Sequence, residues 1–268
     1  MVNVSVVLYQ TPTCEVMKLI RTLRASDVIQ HIYLIDNSKT PTLDFNNEQV
    51  EYLFNSKNLG YGRAHNLAIR KSIEQATEYH LVMNSDLEFE PEILSLIEKY
   101  MNKNNEIGLL MPKIVDPSGQ IQYLCKLLPT PIDLLLRRFL PDKWTSKQRS
   151  AFELHDTGYN HTMDVPYLSG CFMFLRVSAL KQIGLFDERF FLYPEDIDLS
   201  RRMHQKHRTV FFPSVTVIHH HAQSSYKNLK MLWIHTINLF KYFNKWGWIL
   251  DKERKTINKK IKNQLINT

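Results

Sequence analysis

Short apolar runs alternate with segments of helical periodicity along the first 115 residues of the chain. The apolar runs, which predict strands, lie at 4–9, 32–36, 50–54, 79–84 and 107–115. Apolar residues at helical spacing occupy 13–25, 58–76 and 91–101, and Thr13 is a candidate cap for the first of these helices. This alternation predicts an α/β fold with a mostly parallel sheet flanked by helices, and the carboxyl ends of its strands are expected to meet at one edge.

The second half of the chain has a different pattern. The sequence DPSG at 116–119 lies between two apolar stretches and predicts a hairpin turn. Residues 125–163 are irregular and predict a covering loop with a short helix. Three further elements are predicted: a strand or strand pair broken at Gly170 (167–176), a helix (195–207) and a strand pair (209–221).

Charge separates the chain into a body and a tail. Residues 226–268 carry ten basic and two acidic residues, a net charge of +8, so the rest of the chain carries −1 of the total of +7. We therefore predict one domain at 1–225, with a first half at about 1–115 and a second half at about 116–225, followed by a basic helical tail at 226–268. This distribution argues against a partner such as nucleic acid that covers the whole surface, and favours a local anionic partner.

The tail itself allows three interpretations. Apolar and aromatic residues recur at helical spacing over 226–250, and a lysine-rich stretch follows. Such a helix suits the surface of an anionic membrane, where each basic residue contributes about 1 kcal/mol. An apolar stripe of this kind equally suits packing on the catalytic domain or a contact in a homodimer.

Composition narrows the class of protein only moderately. The chain has 268 residues, of which 44% are hydrophobic, as expected for a globular protein with a sizeable core. The three cysteines, Cys14, Cys125 and Cys171, match neither a disulfide framework nor a metal motif, so a cytoplasmic location is expected. The N-terminal residues predict a strand rather than a signal peptide, and no apolar stretch reaches the roughly 18 residues of a spanning helix.

Acidic residues follow the predicted strand 79–84. Asp86 at this position suits a divalent cation such as Mg²⁺ or Mn²⁺, which commonly bridges to substrate phosphates. The alternative is that Asp86 caps the following helix. A second acidic cluster, Glu195, Asp196 and Asp198, lies at a predicted helix start, where it could either supply a general base or only complement the helix dipole.

Two further motifs suggest phosphate or metal contacts. The sequence NLGYGRAHN at 58–66 resembles an anion-binding turn, since its glycines allow close backbone approach and Arg63 adds charge, although an ordinary strand-to-helix turn is the alternative. Three histidines, 219–221, end the last predicted strand pair. Their position raises the prospect of a metal ligand or phosphate contact, but their spacing matches no zinc module.

The order of these motifs resembles one known family. The segments VVLYQT, LIDNS, NLGYGRAHN, MNSD, YLSGCFMFLR, LFDERFFLYPEDIDLSRR and VIHHHAQSS follow one another as in the family 2 glycosyltransferases of the GT-A fold. The likeness is strongest to the branch that includes bacterial rhamnosyltransferases, and it covers residues 3–225.

This resemblance implies a nucleotide-binding half at about 1–115, an acceptor half at about 116–225 and a role for each matching residue. The donor-binding residues would be Tyr9, Asp36, Asn58, Gly60, Arg63, Asn66, Asn84 and Asp86. Ser169 and Gly170 would lie by the sugar and the acceptor. Of the pair Glu195 and Asp196, Asp196 would act as the base. Asp86 would bind the metal of the diphosphate together with His219. Asn84 replaces one of the two carboxylates of the family's motif, so we expect a weakly held metal that arrives with the donor.

The implied activity is an inverting transfer of a sugar from a dTDP- or UDP-linked donor to a saccharide or lipid-linked saccharide, in bacterial surface polysaccharide synthesis. The expected cofactor is Mg²⁺ or Mn²⁺, and the expected location is the cytoplasm, with peripheral contact to the inner face of the cell membrane through 226–268. A sugar nucleotidyltransferase is the alternative enzyme, but residues 9–18 lack the glycine-rich loop it would need. A non-enzymatic module that binds membranes or anions would account for the tail but not for the acidic clusters.

Overall fold

A nine-stranded mixed sheet runs through the protein. The computed structural model describes residues 1–43, 45–134, 142–220 and 229–266. The sheet has the order β3-β2-β1-β4-β10-β6-β11-β5, with β8 paired to β11, and β7 and β9 form a separate pair. The strands are β1 (Val2–Leu8), β2 (Ile29–Asp36), β3 (Val50–Phe54), β4 (Tyr79–Met83), β5 (Leu87–Glu88), β6 (Ile107–Val115), β7 (Cys125–Lys126), β8 (Met163–Asp164), β9 (Tyr167–Leu168), β10 (Phe172–Arg176) and β11 (Arg208–His219).

Helices cover the sheet. They are α1 (Thr13–Arg24), α2 (Tyr61–Glu74), α3 (Glu92–Lys103), α4 (Pro131–Leu134), α5 (Asp142–Phe152), α6 (Val177–Ile183), α7 (Glu195–His204), α8 (Leu229–Trp246) and α9 (Lys252–Ile266). Helix α1 shows why these segments are helical: its buried residues Val16, Leu19, Ile20 and Leu23 recur at the spacing of one helix face. Thr13 is not its cap, since Pro12 occupies that position and the Thr13 hydroxyl instead donates to the carbonyl of Thr42.

The first half of the sheet is parallel, as predicted. β3, β2, β1 and β4 pair in parallel, so β1, β2, β3 and β4 all end at the same edge. β1 and β4, which lie inside this part of the sheet, are almost wholly buried, which fits their largely apolar sequences, whereas β3 at its edge is mostly half-buried.

The second half departs from the parallel pattern. β10 runs antiparallel between β4 and β6, whereas β11 is parallel to β6. The predicted break at Gly170 is confirmed, since β9 ends before it and β10 begins after it. The predicted strand pair over 209–221 is wrong: β11 is one strand up to His219, and it passes Pro213 through a register shift, while residue 221 lies outside the described residues.

Residues 116–163 also differ from prediction in detail. The hairpin at 116–119 is reduced to a turn with an isolated bridge between Val115 and Ile121, because the chain beyond it goes on to pair β7 with β9. The segment 125–163 is more regular than a covering loop. It contains α4, α5, a short 3₁₀ helix at His155–Thr157 and β8, while 135–141 lie outside the described residues.

A buried polar chain lies between β1, β4 and α2. The Ser5 hydroxyl lies 2.6 Å from His65 Nδ1 and 2.8 Å from His80 Nε2, and the Ser72 hydroxyl lies 2.7 Å from His80 Nδ1. Burial lowers the pKa of His80 to about 3 and also lowers the pKa of His65. Both imidazoles are therefore neutral at physiological pH, and their protonation opposes folding.

The tail helices pack on the rest of the protein. Leu239, Tyr242 and Phe243 of α8 are buried, and the last two form an apolar cluster with Phe190 and Ile197. In α9, Asn258 exchanges hydrogen bonds with the backbone of Leu128 at 2.9 and 2.8 Å. Of the three interpretations of the tail, packing on the domain is therefore observed, while membrane contact and dimerisation stay predictions for its outward face.

No helix within the described ranges is both long enough and apolar enough to span a bilayer.

Candidate active site

Asp86 and His219 meet at the carboxyl edge of the sheet. β5 follows Asp86 directly and pairs antiparallel with the end of β11, so Leu87 lies opposite His219. His219 Nε2 is 3.4 Å from Asp86 Oδ1. The Asp86 side chain is 30% exposed and that of His219 only 6%, so the carboxylate faces solvent and the imidazole forms the floor beneath it.

Gln122 determines which nitrogen of His219 faces this site. Its Nε2 donates to the carbonyl of His219 at 2.9 Å, which leaves its Oε1 as the acceptor 2.8 Å from His219 Nδ1. Nδ1 must then carry the hydrogen of the neutral imidazole, so the lone pair is on Nε2 and points towards Asp86. A metal-ligating histidine commonly has such a partner on its second nitrogen.

Tyr61 connects Asn84 to the opposite wall of the site. Its hydroxyl is 2.6 Å from the carbonyl of Gly170 and 3.1 Å from Asn84 Oδ1, and Asn84 Nδ2 lies 3.4 Å from His219 Nε2. Tyr61 is the first residue of α2, and burial raises the pKa of its phenol further above its ordinary value. The phenol is therefore a neutral donor at every physiological pH.

Asp196 lies on that opposite wall, at the start of α7. Its Oδ2 accepts from the backbone N–H of Gly170 at 3.0 Å, and its Oδ1 accepts from the N–H of Ile197 at 2.8 Å. Burial raises the pKa of Asp196, while the backbone hydrogen bonds oppose the rise. Gly170 allows this approach, because a Cβ at that position would lie 3.2 Å from Asp196 Cβ. The arrangement holds a partly exposed carboxylate whose proton affinity is increased, which suits a general base.

The neighbouring Glu195 is in a different environment. It is buried, its Oε2 accepts no hydrogen bond, and burial together with the charge of Asp196 raises its pKa well above the ordinary value. Glu195 therefore holds its proton more tightly than a free carboxyl does, and of the two side chains only Asp196 is partly exposed. Ser169 is half-buried before β10, and its hydroxyl lies 3.5 Å from the N–H of Cys171.

The predicted donor turn is held by amide side chains. Asn58 Oδ1 accepts from the N–H of Gly60 at 2.9 Å and from Asn37 Nδ2 at 3.3 Å, and Asn37 Nδ2 also donates to the Gly60 carbonyl at 3.2 Å. Gly60 precedes α2 with φ +86°, a conformation that favours glycine. The turn thus brings the start of α2, and with it Tyr61, to the carboxyl edge of the sheet.

The predicted donor residue Asp36 makes hydrogen bonds within the protein. Asp36 is buried, and its carboxylate accepts from the N–H groups of Ser38 and Thr42 and from the Tyr52 hydroxyl. Burial would raise the pKa of Asp36, but these hydrogen bonds outweigh it and lower the pKa. Its contact with the base stays a prediction, as does that of Tyr9, which is 53% exposed at the end of β1.

Asn66 and Arg63 point towards the chain that follows α6. Asn66 is buried, donates to the carbonyl of Phe186 at 2.9 Å and accepts from its N–H at 3.1 Å. Arg63 is exposed, and its Nε lies 3.5 Å from Glu188 Oε2. Asn66 therefore holds the backbone at Phe186 against α2, whereas the guanidinium of Arg63 is exposed to solvent.

The structure brings most of the predicted site residues into one connected set. Contacts run from Asn58 and Gly60 into α2 and Tyr61, from Tyr61 to Gly170 and Asn84, and from these to Asp196, His219 and Asp86. Tyr61 and Gln122 were missed from the sequence. Tyr61 stands inside the NLGYGRAHN motif, which was a usable signal, whereas no local pattern marks Gln122.

The donor atoms at this edge fit a hard divalent cation held weakly. Within the described ranges, no group of three or more His, Cys, Asp or Glu side chains is arranged to hold a metal. Asp86 and His219 supply one carboxylate and one imidazole, and Asn84 adds a neutral amide. Of the other two histidines, His220 lies 3.1 Å from Glu88 Oε2 on the exposed side, and His221 lies outside the described residues. Such a set leaves several coordination positions for phosphate oxygens and water.

The fold is that of GT-A glycosyltransferases. Aligned with the crystal structure of GalNAc-T7 with UDP, GalNAc and Mn²⁺, the protein has a TM-score of 0.64 at 15% sequence identity, and the alignment covers 85% of this chain and 44% of the other. The chain belongs to the glycosyl transferase family 2, whose family model matches residues 15–184. The resemblance drawn from the motif order is thereby confirmed.

Two curated relatives are rhamnosyltransferases. The chain is 30% identical over 185 residues to the N-acetylglucosaminyl-diphospho-decaprenol L-rhamnosyltransferase of Mycobacterium tuberculosis, an alignment that covers 66% of this chain and 60% of that protein. It is 24% identical over 238 residues to rhamnosyltransferase WbbL of Escherichia coli K12, covering 85% of this chain and 87% of that one. The chain thus spans 60% of the length of the mycobacterial relative.

Proposed function

We propose that this protein is an inverting, metal-dependent glycosyltransferase that moves a sugar from a nucleoside-diphosphate donor to a hydroxyl of a saccharide or lipid-linked saccharide. The first candidate sugar is rhamnose, because relatives at 30% and 24% identity are named rhamnosyltransferases. The donor base would be thymine or uracil, and the process would be bacterial surface polysaccharide synthesis. The observation that carries the proposal is the pairing, through Tyr61 and Gly170, of the Asp196 carboxylate with the Asp86–His219 edge.

Asp196 would be the general base of the transfer. Its two backbone hydrogen bonds hold the carboxylate in place, and its raised pKa strengthens it as a proton acceptor. The carboxylate would take the proton of the acceptor hydroxyl while the hydroxyl oxygen attacks the anomeric carbon, and the bond to the diphosphate would break on the opposite face of the sugar. This single displacement inverts the anomeric configuration and needs no protein nucleophile.

The diphosphate would lie between the donor turn and the edge of β11. Asp86 and His219, with Asn84, would hold Mg²⁺ or Mn²⁺, which when bound supplies positive charge against the diphosphate. Gln122 would orient the His219 ring and favour the neutral tautomer whose lone pair is on Nε2, and Arg63 and the turn at Asn58 and Gly60 would bind the remaining phosphate oxygens. Tyr9 and Asp36 would line the base, and Ser169 would lie by the acceptor.

The central experiment compares Asp196→Asn with the wild type on a panel of dTDP- and UDP-sugars with Mn²⁺. We expect wild-type turnover with at least one donor, an inverted anomeric linkage by NMR, and loss of turnover in the variant with donor binding retained. The exposed Asp27 offers a matched control, since Asp27→Asn should leave turnover unchanged. Near wild-type turnover by Asp196→Asn, or a product of retained configuration, would refute this mechanism.

We also propose that the outward face of the tail contacts the anionic inner face of the cell membrane, which would bring the enzyme to a lipid-linked acceptor. Large apolar side chains are exposed there: Trp233, Ile237, Phe240, Ile249 and Leu250. Exposed lysines of α9 follow them in the chain, and each would contribute about 1 kcal/mol near anionic lipid. The three cysteines are free, in keeping with a cytoplasmic location.

Flotation with vesicles tests this contact. The double variant Ile249→Ser with Leu250→Ser should reduce binding to vesicles that contain anionic lipid, while Leu96→Ser, an exposed leucine on α3, should not. Equal flotation of the two variants would refute the contact. Sedimentation of the same proteins tests the competing prediction, a homodimer formed through this face: a wild-type dimer that the double variant converts to a monomer would support it.

A further inference from the structure

The segment 187–193 joins the two walls of the candidate site. It ends just before the pair Glu195 and Asp196, so its path determines where α7 begins. On its other side it contacts the donor turn, because the carbonyl of Phe191 accepts from the N–H of Tyr61 at 3.0 Å. Glu188 of the segment also accepts from Asn66 and Arg70 of α2. We call residues 187–193 the bridging segment.

The bridging segment is irregular and includes an unfavourable backbone conformation. Tyr193 has φ +67°, which is uncommon for a residue with a bulky side chain. Residues held in such conformations persist only where surrounding contacts determine them. The segment therefore depends on neighbouring elements for its shape.

Helix α8 supplies those contacts along one face. Asn238 Nδ2 donates to the carbonyl of Leu192 at 2.9 Å, and Lys241 Nζ donates to the carbonyl of Arg189 at 2.8 Å. One turn further, Lys245 Nζ lies 2.9 Å from Asp187 Oδ2. Residues 238, 241 and 245 recur at helical spacing, so this face of α8 follows the bridging segment along its length.

Apolar and aromatic contacts reinforce the same face. Phe190 of the segment is buried in a cluster with Tyr242 and Phe243 of α8. At the other end, the ring of His235 meets the ring of Tyr193 edge-on, with 4.6 Å between centroids. The residue of unfavourable φ is thus held by a ring of α8.

Helix α8 also holds α7 directly. The Asp198 carboxylate is buried, and it accepts from Trp246 Nε1 at 2.8 Å and pairs with Lys245 Nζ at 2.6 Å. The buried guanidinium of Arg201 stacks over the Trp246 ring at 4.1 Å. These contacts lie two and five residues after Asp196 on the same helix, so α8 holds both the segment that leads to this residue and the helix that begins there.

We propose that α8 is a positioning element of the active site, which sets the bridging segment and thereby holds Asp196 against the donor turn. This inference rests on the proposed function for the role of Asp196. The tail then contributes to catalysis as well as to membrane contact. The inner face of α8 positions the active-site segment, and its outer face is available to a membrane.

The test uses two full-length variants that remove the inner contacts without removing bulk. Asn238→Leu keeps the size of the side chain but loses the donor to Leu192, and Lys241→Met keeps the aliphatic stem but loses the donor to Arg189. Lys103→Met, at an exposed lysine of α3, is the matched control. Hydrogen exchange of the amides at 187–198, kcat, KM for the donor and thermal stability are measured for each.

We expect faster exchange at 187–198 and a fall in kcat of about tenfold for each inner-face variant, with a smaller change in KM for the donor. A merely structural role would lower thermal stability without changing kcat per folded molecule. Unchanged exchange, or faster exchange with wild-type kcat, would overturn the inference. A wild type that transfers no sugar would refute the proposed function, whereas the exchange comparison needs no turnover and still tests the hold of α8 on the segment.

Discussion

Gly60 provides a sharp test of how the donor turn is built. Its backbone has φ +86° and ψ 172°, and a Cβ at this position would lie 2.1 Å from the carbonyl oxygen of Phe191. Gly184, which follows α6, has nearly the same backbone angles, φ +83° and ψ 173°, but a Cβ there would meet nothing closer than Arg202 Nη1 at 3.8 Å. Gly60→Ala and Gly184→Ala therefore cause the same backbone strain, but only Gly60→Ala makes the new methyl group overlap with the Phe191 carbonyl.

The magnitudes follow from these two environments. An alanine in this backbone region costs about 1–3 kcal/mol of unfolding free energy in both variants. At Gly60 the chain must additionally move by roughly 1 Å or more to reach an ordinary contact distance. That movement breaks the hydrogen bond from the Tyr61 N–H to Phe191, and a buried donor without a partner costs about 1–3 kcal/mol more.

Urea denaturation of both variants and the wild type measures this difference, and titration with UDP or dTDP measures its effect on the site. We expect Gly60→Ala to be less stable than Gly184→Ala by about 1–3 kcal/mol, and to bind nucleotide more weakly. Gly184→Ala should bind nucleotide as the wild type does. If the two variants lose equal stability, the contact with the bridging segment does not hold the donor turn in place.

Three further predictions concern single side chains. Tyr61→Phe removes the hydroxyl that links Gly170 to Asn84, and it should lower kcat about tenfold with the fold retained by circular dichroism; an unchanged kcat would show that the link is dispensable. Asn84→Asp adds a second carboxylate beside Asp86 and should tighten Mn²⁺ binding to the donor-free protein, measured by calorimetry, and equal affinity would place the amide away from the metal. Burial lowers the pKa of His80 from 6.5 to about 3, so the contribution of its neutral form to stability is fully present above pH 6.5. Below pH 6.5 the free energy of unfolding should fall by up to about 1.4 kcal/mol per pH unit towards pH 3. Urea denaturation should find a smaller slope in His80→Gln.

The strands of the first half of the fold could be predicted because their local sequence pattern agrees with their position in the sheet. The predicted strand at 107–115 matches β6 in both bounds, since its apolar run is short, continuous and ends at a turn sequence. The same agreement holds for β3 at Val50–Phe54. β1 and β4 are buried along almost their whole length, and this burial makes them visible in the sequence as apolar runs.

Long-range pairing accounts for the elements that sequence patterns misjudged. The strand pair predicted at 209–221 is a single strand, β11, which shifts register against β6 between Phe212 and Thr216. The apolar stretch after 116–119 read as the second arm of a hairpin, yet the chain goes on to pair with β9, more than 40 residues later in sequence. A local pattern contains no information about which distant strand supplies the partner.

The candidate site divides in the same way. Asp86, the acidic cluster with Asp196 and the histidines 219–221 became candidates because each stands at the end of a strand or the start of a helix, and the family resemblance then selected Asp196 and His219. Tyr61 and Gln122 were missed because their partners lie 23 and 97 residues away, so their roles exist only in the folded chain.

The neutral Asn84 can be understood from the single hydrogen of Tyr61. That hydroxyl has one hydrogen and two neighbours, and the Gly170 carbonyl, at 2.6 Å, is closer than Asn84 Oδ1 at 3.1 Å. A carbonyl oxygen can only accept, so the hydrogen goes mainly to Gly170, and the Tyr61 oxygen gains most from a neighbour that donates to it. The structure has the Asn84 oxygen towards Tyr61 and its NH₂ group towards His219. Rotation of the amide by half a turn would present the NH₂ group to Tyr61 and the oxygen to His219 and Asp86, where the proposed cation would be held. A carboxylate at position 84 would place a second negative charge beside Asp86 whenever no cation is bound, so the amide suits the proposed metal site both with and without its cation.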